Sequence, residues 1–99
     1  DERVTMKPSA QTFTSVFDAL ADTPQEAANV RARAELAQAL TALVLAQGWT
    51  QAEAAQRCGV TQPRMNDLLR GRISRFSLDA LVNMAVSSGQ RVRMALEAA

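Results

Sequence analysis

The residues that could do chemistry lie between Gly59 and Gly71, where amide, hydroxyl and guanidinium side chains recur at helical spacing. If Val60, Met65 and Leu68 face a core, a helix here presents a polar face to solvent. That face consists of Gln62, Pro63, Asn66, Asp67 and Arg70. Glutamine and asparagine can bond adenine bidentately and arginine can bond guanine, so these residue types suit the reading of base edges in a DNA major groove.

The preceding residues predict a second short helix and the turn that joins the two. Gly59 stands at the turn, where glycine adopts a positive φ at no steric cost. Ala55 lies four residues earlier, where two helices must cross closely, and Ala54 and Cys58 add apolar contacts. Together with the polar face, this spacing predicts a DNA-binding helix-turn-helix. The alternative is an ordinary exposed polar face on a motif that no longer touches DNA.

The expected DNA contacts divide by role. Base-reading residues are expected on and beside the outward face of the second helix, at Gln62, Pro63, Arg64, Asn66 and Asp67. Phosphate-binding residues are expected at the two helix starts and in the basic loop, at Thr50, Gln51, Thr61, Arg70, Arg72 and Arg75. A carboxylate repels DNA, so pairing of Asp67 with Arg64 and Arg70, three residues away on either side, is the simpler interpretation. Acceptance of a bond from cytosine is the alternative.

Charge is distributed unevenly along the chain. The net charge is only +1, but residues 57–75 carry five arginines against Asp67 alone, a local charge of +4. Residues 1–30 carry two basic side chains against five acidic ones, a local charge of −3. The basic cluster coincides with the predicted reading helix and the loop after it, which indicates a polyanionic partner. A merely solvated arginine face is the alternative.

Capping residues mark out the helices that must position these side chains. Thr23 and Pro24 predict the start of a long helix that ends at Gln47, just before Gly48. Three further caps predict shorter helices, at Thr50, Thr61 and Ser77. These helices are assigned to one domain over residues 23–99, the helix-turn-helix domain with its C-terminal extension. Since many of its apolar residues are alanine, the core is thin, and such a chain gains by dimerising.

The two ends of the chain carry different patterns. Residues 1–22 are predicted as a mobile segment with a short amphipathic helix, whose stripe is Phe13, Val16, Phe17 and Leu20. Near the other end, apolar Val92, Met94 and Leu96 alternate with Arg91, Arg93 and Ala95, which predicts a β-strand. A lone strand needs a partner, which could be the N-terminal segment, a second copy of the chain or another protein.

Composition disfavours catalysis. The chain has no histidine and no tyrosine, so Cys58 has no histidine to activate it. We therefore predict that the protein is not an enzyme, that it uses no metal and no cofactor, and that Cys58 is a small core residue. No apolar stretch is long enough to span a membrane, no signal peptide is evident and a single cysteine suits a reducing compartment. A cytoplasmic location is expected.

The stretch GWTQAEAAQRCGVTQPRMNDLLRGR, followed by FSLDAL, resembles the Xre (Cro/repressor-like) family, and more narrowly the HigA-like antitoxins of bacterial toxin–antitoxin operons. The upstream FTSVFDAL and EAANVRARAEL, and the strand after Gly89, are similar to that subgroup as well. The resemblance implies an all-α, five-helix, lambda-repressor-like fold with a short C-terminal β-strand. It also implies a phosphate contact at Gln51 and base-reading positions at Gln62, Arg64 and Asn66. Met65 replaces the usual isoleucine or valine and Cys58 the usual leucine, which keeps both positions apolar.

What the resemblance implies for function is a homodimer that represses its own operon and binds a RelE/HigB-type ribonuclease toxin. We therefore expect double-stranded DNA with an inverted-repeat operator as one partner, in the bacterial cytoplasm and on the nucleoid. The toxin is expected on the acidic N-terminal segment, at Phe13, Val16, Phe17 and Leu20, although that helix could equally enlarge a small core. Two alternatives stay open: a stand-alone or prophage-type Xre regulator without a toxin, and a protein-interaction module that has lost DNA binding.

Overall fold

The computed structural model describes residues 23–98. They form four α-helices, α1 (Pro24–Gln47), α2 (Gln51–Cys58), α3 (Gln62–Leu69) and α4 (Leu78–Ser87), with a 3₁₀ turn at Ile73–Arg75. These are four of the five predicted helices, and the fold is all-α. The fifth, with its stripe of Phe13, Val16, Phe17 and Leu20, lies outside the described residues. No helix within residues 23–98 is long and apolar enough to cross a membrane.

The predicted caps begin and end these helices. Thr23 accepts a hydrogen bond from the N–H of Glu26 at 3.0 Å, and α1 ends at Gly48, whose φ of 68° is left-handed. The side-chain oxygens of three further N-caps each accept a bond from the N–H three residues later, at Thr50, Thr61 and Ser77. Each cap satisfies one of the free donors at a helix start, which fixes where the helix begins.

The core lies where α1, α2 and α4 meet and continues under α3. Its largest fully buried side chains are Phe76, Met65, Leu68, Ile73 and Leu81. The residues predicted to close α2 on α3 are buried as expected, except that Val60 is only partly buried. Gly59 turns the chain with a φ of 71°, and a Cβ there would lie 3.0 Å from the Ser87 hydroxyl of α4. The apolar side of α3 packs on this core through Met65 and Leu68.

The predicted C-terminal strand is not formed within the described chain. Residues 90–98 make neither helix nor strand, and no backbone hydrogen bond joins residues 91–98 to another described segment. Val92 packs against the core, whereas Met94 is 77% exposed and Leu96 is 104% exposed. A strand requires a ladder of hydrogen bonds to a neighbouring strand, and residues 23–98 supply no such neighbour.

Candidate nucleic-acid interface

A side-chain bond fixes α2 relative to α3. The Gln51 amide Nε2 donates to the backbone carbonyl of Gln62 at 3.2 Å, so the first residue of α2 holds the first residue of α3. Behind this bond, Ala54 and Met65 are fully buried, at 0% exposed each. Both helix N-termini therefore lie at one end of the motif, where their free N–H groups and helix dipoles favour an anion such as a phosphate.

Three of the predicted base readers share the exposed side of α3. Gln62 and Pro63 are the first two residues of the helix and are exposed, and Asn66 follows one turn later, half-buried. Residues three and four apart on a helix lie on the same face, so Asn66 continues the surface that Gln62 and Pro63 begin. Thr61 precedes them as the exposed cap. This is the placement that the sequence predicted for residues entering a major groove first.

Thr50, a predicted phosphate contact, is hydrogen-bonded to Glu53 through both its hydroxyl oxygen and its N–H. Its hydroxyl accepts the N–H of Glu53 at 3.1 Å, and its own N–H donates to Glu53 Oε1 at 2.9 Å. That bond from the Thr50 N–H lowers the pKa of the Glu53 carboxyl below its usual value, so the carboxylate is ionised at neutral pH. Of the two donors at Thr50, only the hydroxyl hydrogen therefore remains for a phosphate.

Arg64 lies against an aromatic ring. Its guanidinium carbon is 4.4 Å from the centre of the Phe76 ring, and its side chain is half-buried. The backbone of Phe76 is in turn bonded to α1, because Arg33 Nη1 donates to the Phe76 carbonyl at 3.3 Å. Arg33 also donates to Asn29 Oδ1 at 2.8 Å. The sequence pattern gave no sign that the Phe76 ring carries an arginine of α3.

The predicted partners of Asp67 are wrong. Asp67 Oδ1 accepts from Arg72 Nη1 at 3.0 Å and from Arg75 Nη1 at 2.9 Å, whereas Arg64 lies on Phe76. Spacing along α3 places Arg64 and Arg70 within reach, but Arg64 is already engaged and the turn at Gly71 brings the later arginines back instead.

The side chain of Asp67 is only 15% exposed, and the hydrogen bond from Arg72 lowers the pKa of its carboxyl, helped by the charge of Arg75. The carboxylate is therefore an anchor for two arginines. Their own side chains stay accessible, at 42% exposed for Arg72 and 56% for Arg75. An arginine held at one nitrogen keeps further N–H donors for a phosphate. In the predicted basic loop, Arg72 and Arg75 are thus held in fixed positions beside α3.

Arg70 lies apart from these residues. It is the exposed C-cap of α3, and it borders an open hollow of about 550 Å³ against α1, together with Thr41 and Leu45. Since α3 has eight residues and rises about 1.5 Å per residue, Arg70 is roughly 12 Å from the helix start. The structure therefore separates Arg70 from Gln62 and from the Thr50 end of α2.

Comparison with known proteins agrees with this geometry. A family model described as a helix-turn-helix domain matches residues 19–97, a range that contains all four helices. No curated protein and no solved structure matches the chain.

Proposed function

Since the chain belongs to this helix-turn-helix domain family, we propose that it is a sequence-specific, DNA-binding transcriptional repressor in which α3 enters the major groove. The observation that carries the proposal is the exposed face of α3, where Gln62, Pro63 and Asn66 lie together while Met65 and Leu68 hold the helix on the core. Amide side chains at these positions suit adenine, and the proline ring suits a thymine methyl group.

The surroundings of α3 supply the sequence-independent part of the binding. Arg72 and Arg75 are accessible and fixed beside the helix, and Thr61 and Gln51 stand at its N-terminal end. Contacts of this kind set the register and the angle of a protein on DNA without reading bases. We assign Arg64 a mixed role, because a guanidinium held flat on Phe76 can present its edge to guanine or to a phosphate.

We further propose that the repressor acts as a two-fold dimer on an inverted-repeat operator. Half-site centres would then lie one helical turn apart, roughly 34–36 Å.

The buried Cys58, whose pKa is raised by burial, favours binding without catalysis, because a protonated thiol is a poor nucleophile. We expect the protein to act in the cytoplasm of a bacterium.

The finer proposal is that the protein is an antitoxin whose N-terminal segment binds a RelE/HigB-type toxin. It is supported by the resemblance to HigA-like proteins and by the acidic charge of residues 1–30, which suits a basic ribonuclease. Deleting residues 1–21 leaves the cap of α1 in place and should abolish toxin neutralisation while operator binding survives. Unchanged neutralisation by the truncated chain would contradict this assignment and favour a stand-alone regulator or a different docking surface.

The DNA-binding proposal is tested with the DNA upstream of the protein's own gene. The full chain should shift this DNA in fluorescence polarisation at concentrations at which a shuffled duplex of equal length stays free. The variant Gln62→Ala/Asn66→Ala should lose the difference between the two duplexes. Gln25→Ala is the matched control, because Gln25 is an exposed glutamine in the first turn of α1, outside the motif. If the wild type binds both duplexes equally, the proposed sequence-specific repressor is wrong.

A further inference from the structure

The segment after α4 presents apolar side chains that no described residue covers. Val92 is half-buried against the core, but Met94 and Leu96 are 77% and 104% exposed. Alternate residues of an extended chain face the same side, so these three form one apolar face when the segment is extended. The opposite face then carries Arg91, Arg93, Ala95 and Glu97.

An open hollow adjoins this apolar face. It has a volume of about 390 Å³, and its lining includes Leu36 of α1, Val82 of α4, and Val92 and Met94 of the C-terminal segment. Apolar side chains laid into it would be withdrawn from water, which contributes about 25 cal/mol for each Å² buried. The hollow is therefore open to a strand that runs alongside residues 91–97.

We propose that this strand is the same segment of a second copy, paired antiparallel so that the two-fold axis passes between the two Met94 residues. The inference rests on the proposed dimeric repressor and names its interface. In this register Val92 faces the partner's Leu96, which would lie over the hollow. On the other face Arg91 stands opposite the partner's Glu97, so each end of the ribbon gains an opposite-charge pair.

The pattern of residues selects this register. A shift by one residue along one strand would set apolar side chains opposite charged ones, because the side-chain period is two. Centring the ribbon on Arg93 would oppose Arg93 with itself. Centring it on Ala95 would face Val92 with the partner's Ala98, leaving one large apolar residue poorly matched. Of these registers, only the one centred on Met94 sets every large apolar residue opposite another and also sets arginine opposite glutamate.

Cysteine cross-linking tests the register in the full chain. Directly opposite residues in an antiparallel pair have Cα atoms about 4.5–5.5 Å apart, within the range that a disulfide spans. Met94→Cys should therefore form a disulfide-linked dimer on mild oxidation, whereas Ala95→Cys, its matched control, should cross-link several-fold less. The parent chain should not cross-link, because Cys58 is buried. Stronger cross-linking through Ala95→Cys would overturn the proposed register.

A charge exchange tests the same pairing without a new thiol. Glu97→Arg should weaken the dimer about five- to tenfold in sedimentation equilibrium. At each end of the ribbon an arginine then stands opposite an arginine, and like charges repel. Adding Arg91→Glu should restore the wild-type dimer constant, whereas adding Arg93→Glu should not. Rescue by Arg93→Glu instead, or a wild-type chain that stays monomeric at about 100 µM, would contradict the interface.

The binding of the same variants to random DNA separates this inference from the proposed function. If the wild-type chain binds DNA but stays monomeric, and Met94→Cys does not cross-link, the interface is overturned and the DNA-binding proposal stays intact. Cross-linked Met94→Cys dimers that bind no DNA would overturn the proposed function and support the interface.

Discussion

The guanidinium carbon of Arg64 lies 4.4 Å from the centre of the Phe76 ring, and this contact joins α3 to the residue that precedes the cap of α4. Phe76 is only 1% exposed, and its carbonyl accepts a bond from Arg33 of α1. A planar guanidinium gains both cation–π attraction and stacking on such a ring. The ring therefore restricts Arg64 to one orientation at the edge of α3.

Replacing Arg64 by lysine should show how much this orientation contributes to operator affinity. Arg64→Lys keeps the charge but removes the planar fork, so operator affinity should fall about tenfold while affinity for random DNA changes little. Arg57→Lys is the control, because Arg57 also lies on an aromatic ring but outside α3. Its guanidinium carbon is 4.9 Å from the centre of the Trp49 ring. Polarisation titrations on both duplexes would measure the effect, and equal losses for the two variants would assign Arg64 no special role.

Gln62 and Arg72 should respond differently to truncation. Gln62→Ala should weaken operator binding by about 1–3 kcal/mol and leave random DNA nearly unaffected, since we propose that the amide reads a base edge. Arg72→Ala should weaken binding to both duplexes alike, because the contact we propose for Arg72 is with the phosphate backbone. Gel-shift titrations on matched duplexes give the four constants. A uniform loss for both variants would show that the division into base readers and phosphate contacts is wrong.

The turn of the motif should be sensitive to any side chain at Gly59. Gly59→Ala places a residue in the left-handed region, at a cost of about 1–2 kcal/mol, and also sets its Cβ against the Ser87 hydroxyl. Gly48→Ala is the matched control, with a similar φ and nothing within 4 Å of the added Cβ. In urea unfolding, Gly59→Ala should be the more destabilising change, and adding Ser87→Ala should remove part of the difference. Identical unfolding free energies for the two alanine variants would contradict the close packing of the turn on α4.

Asp67 should make the stability of the domain depend on pH in the acid range. Its folded-state pKa is lowered by Arg72 and Arg75, so its contribution is fully present above the pKa of an unfolded aspartate, about 3.9. The contribution is lost as the pH falls through the lowered folded-state value. Asp67→Asn should therefore be less stable than the wild type at pH 7, and the gap should narrow below about pH 4.

Urea unfolding at a series of pH values measures the difference in unfolding free energy between the wild type and Asp67→Asn. In a background with Arg72→Ala and Arg75→Ala, Asp67→Asn should have little further effect, because the partners of the carboxylate are gone. A gap that stays constant from neutral to acid pH would show that the two ion pairs contribute nothing to the unfolding free energy.

The helices could be predicted from sequence because their signals are local. Thr23, Thr50, Thr61 and Ser77 each cap a helix where the pattern placed them, and Gly59 turns the chain as expected. A cap needs only a side chain and an N–H three residues later, so it is visible in a short stretch of sequence. The exposed face of α3 follows from the same helix and the same apolar period.

The contacts that depend on the path of the chain could not be predicted in this way. Helical spacing predicts partners for Asp67 on α3 itself, but the turn at Gly71 brings Arg72 and Arg75 closer. The stacking of Arg64 on Phe76 likewise joins two elements whose angle no local pattern fixes. The alternation after Gly89 shows which side chains would share a face, but a strand also needs a partner, and the described chain contains none.

The central claim, that α3 and its arginines bind DNA, is tested most directly by the salt dependence of binding. Residues 57–75 carry five arginines, and a dimer doubles them. Release of counterions from the contacted phosphates should lower the affinity for operator DNA by about 10³ or more between about 50 and about 200 mM salt. The logarithm of the association constant, measured by polarisation, should fall linearly with the logarithm of the salt concentration. An affinity that changes less than about threefold over that range would contradict phosphate binding by the arginine cluster.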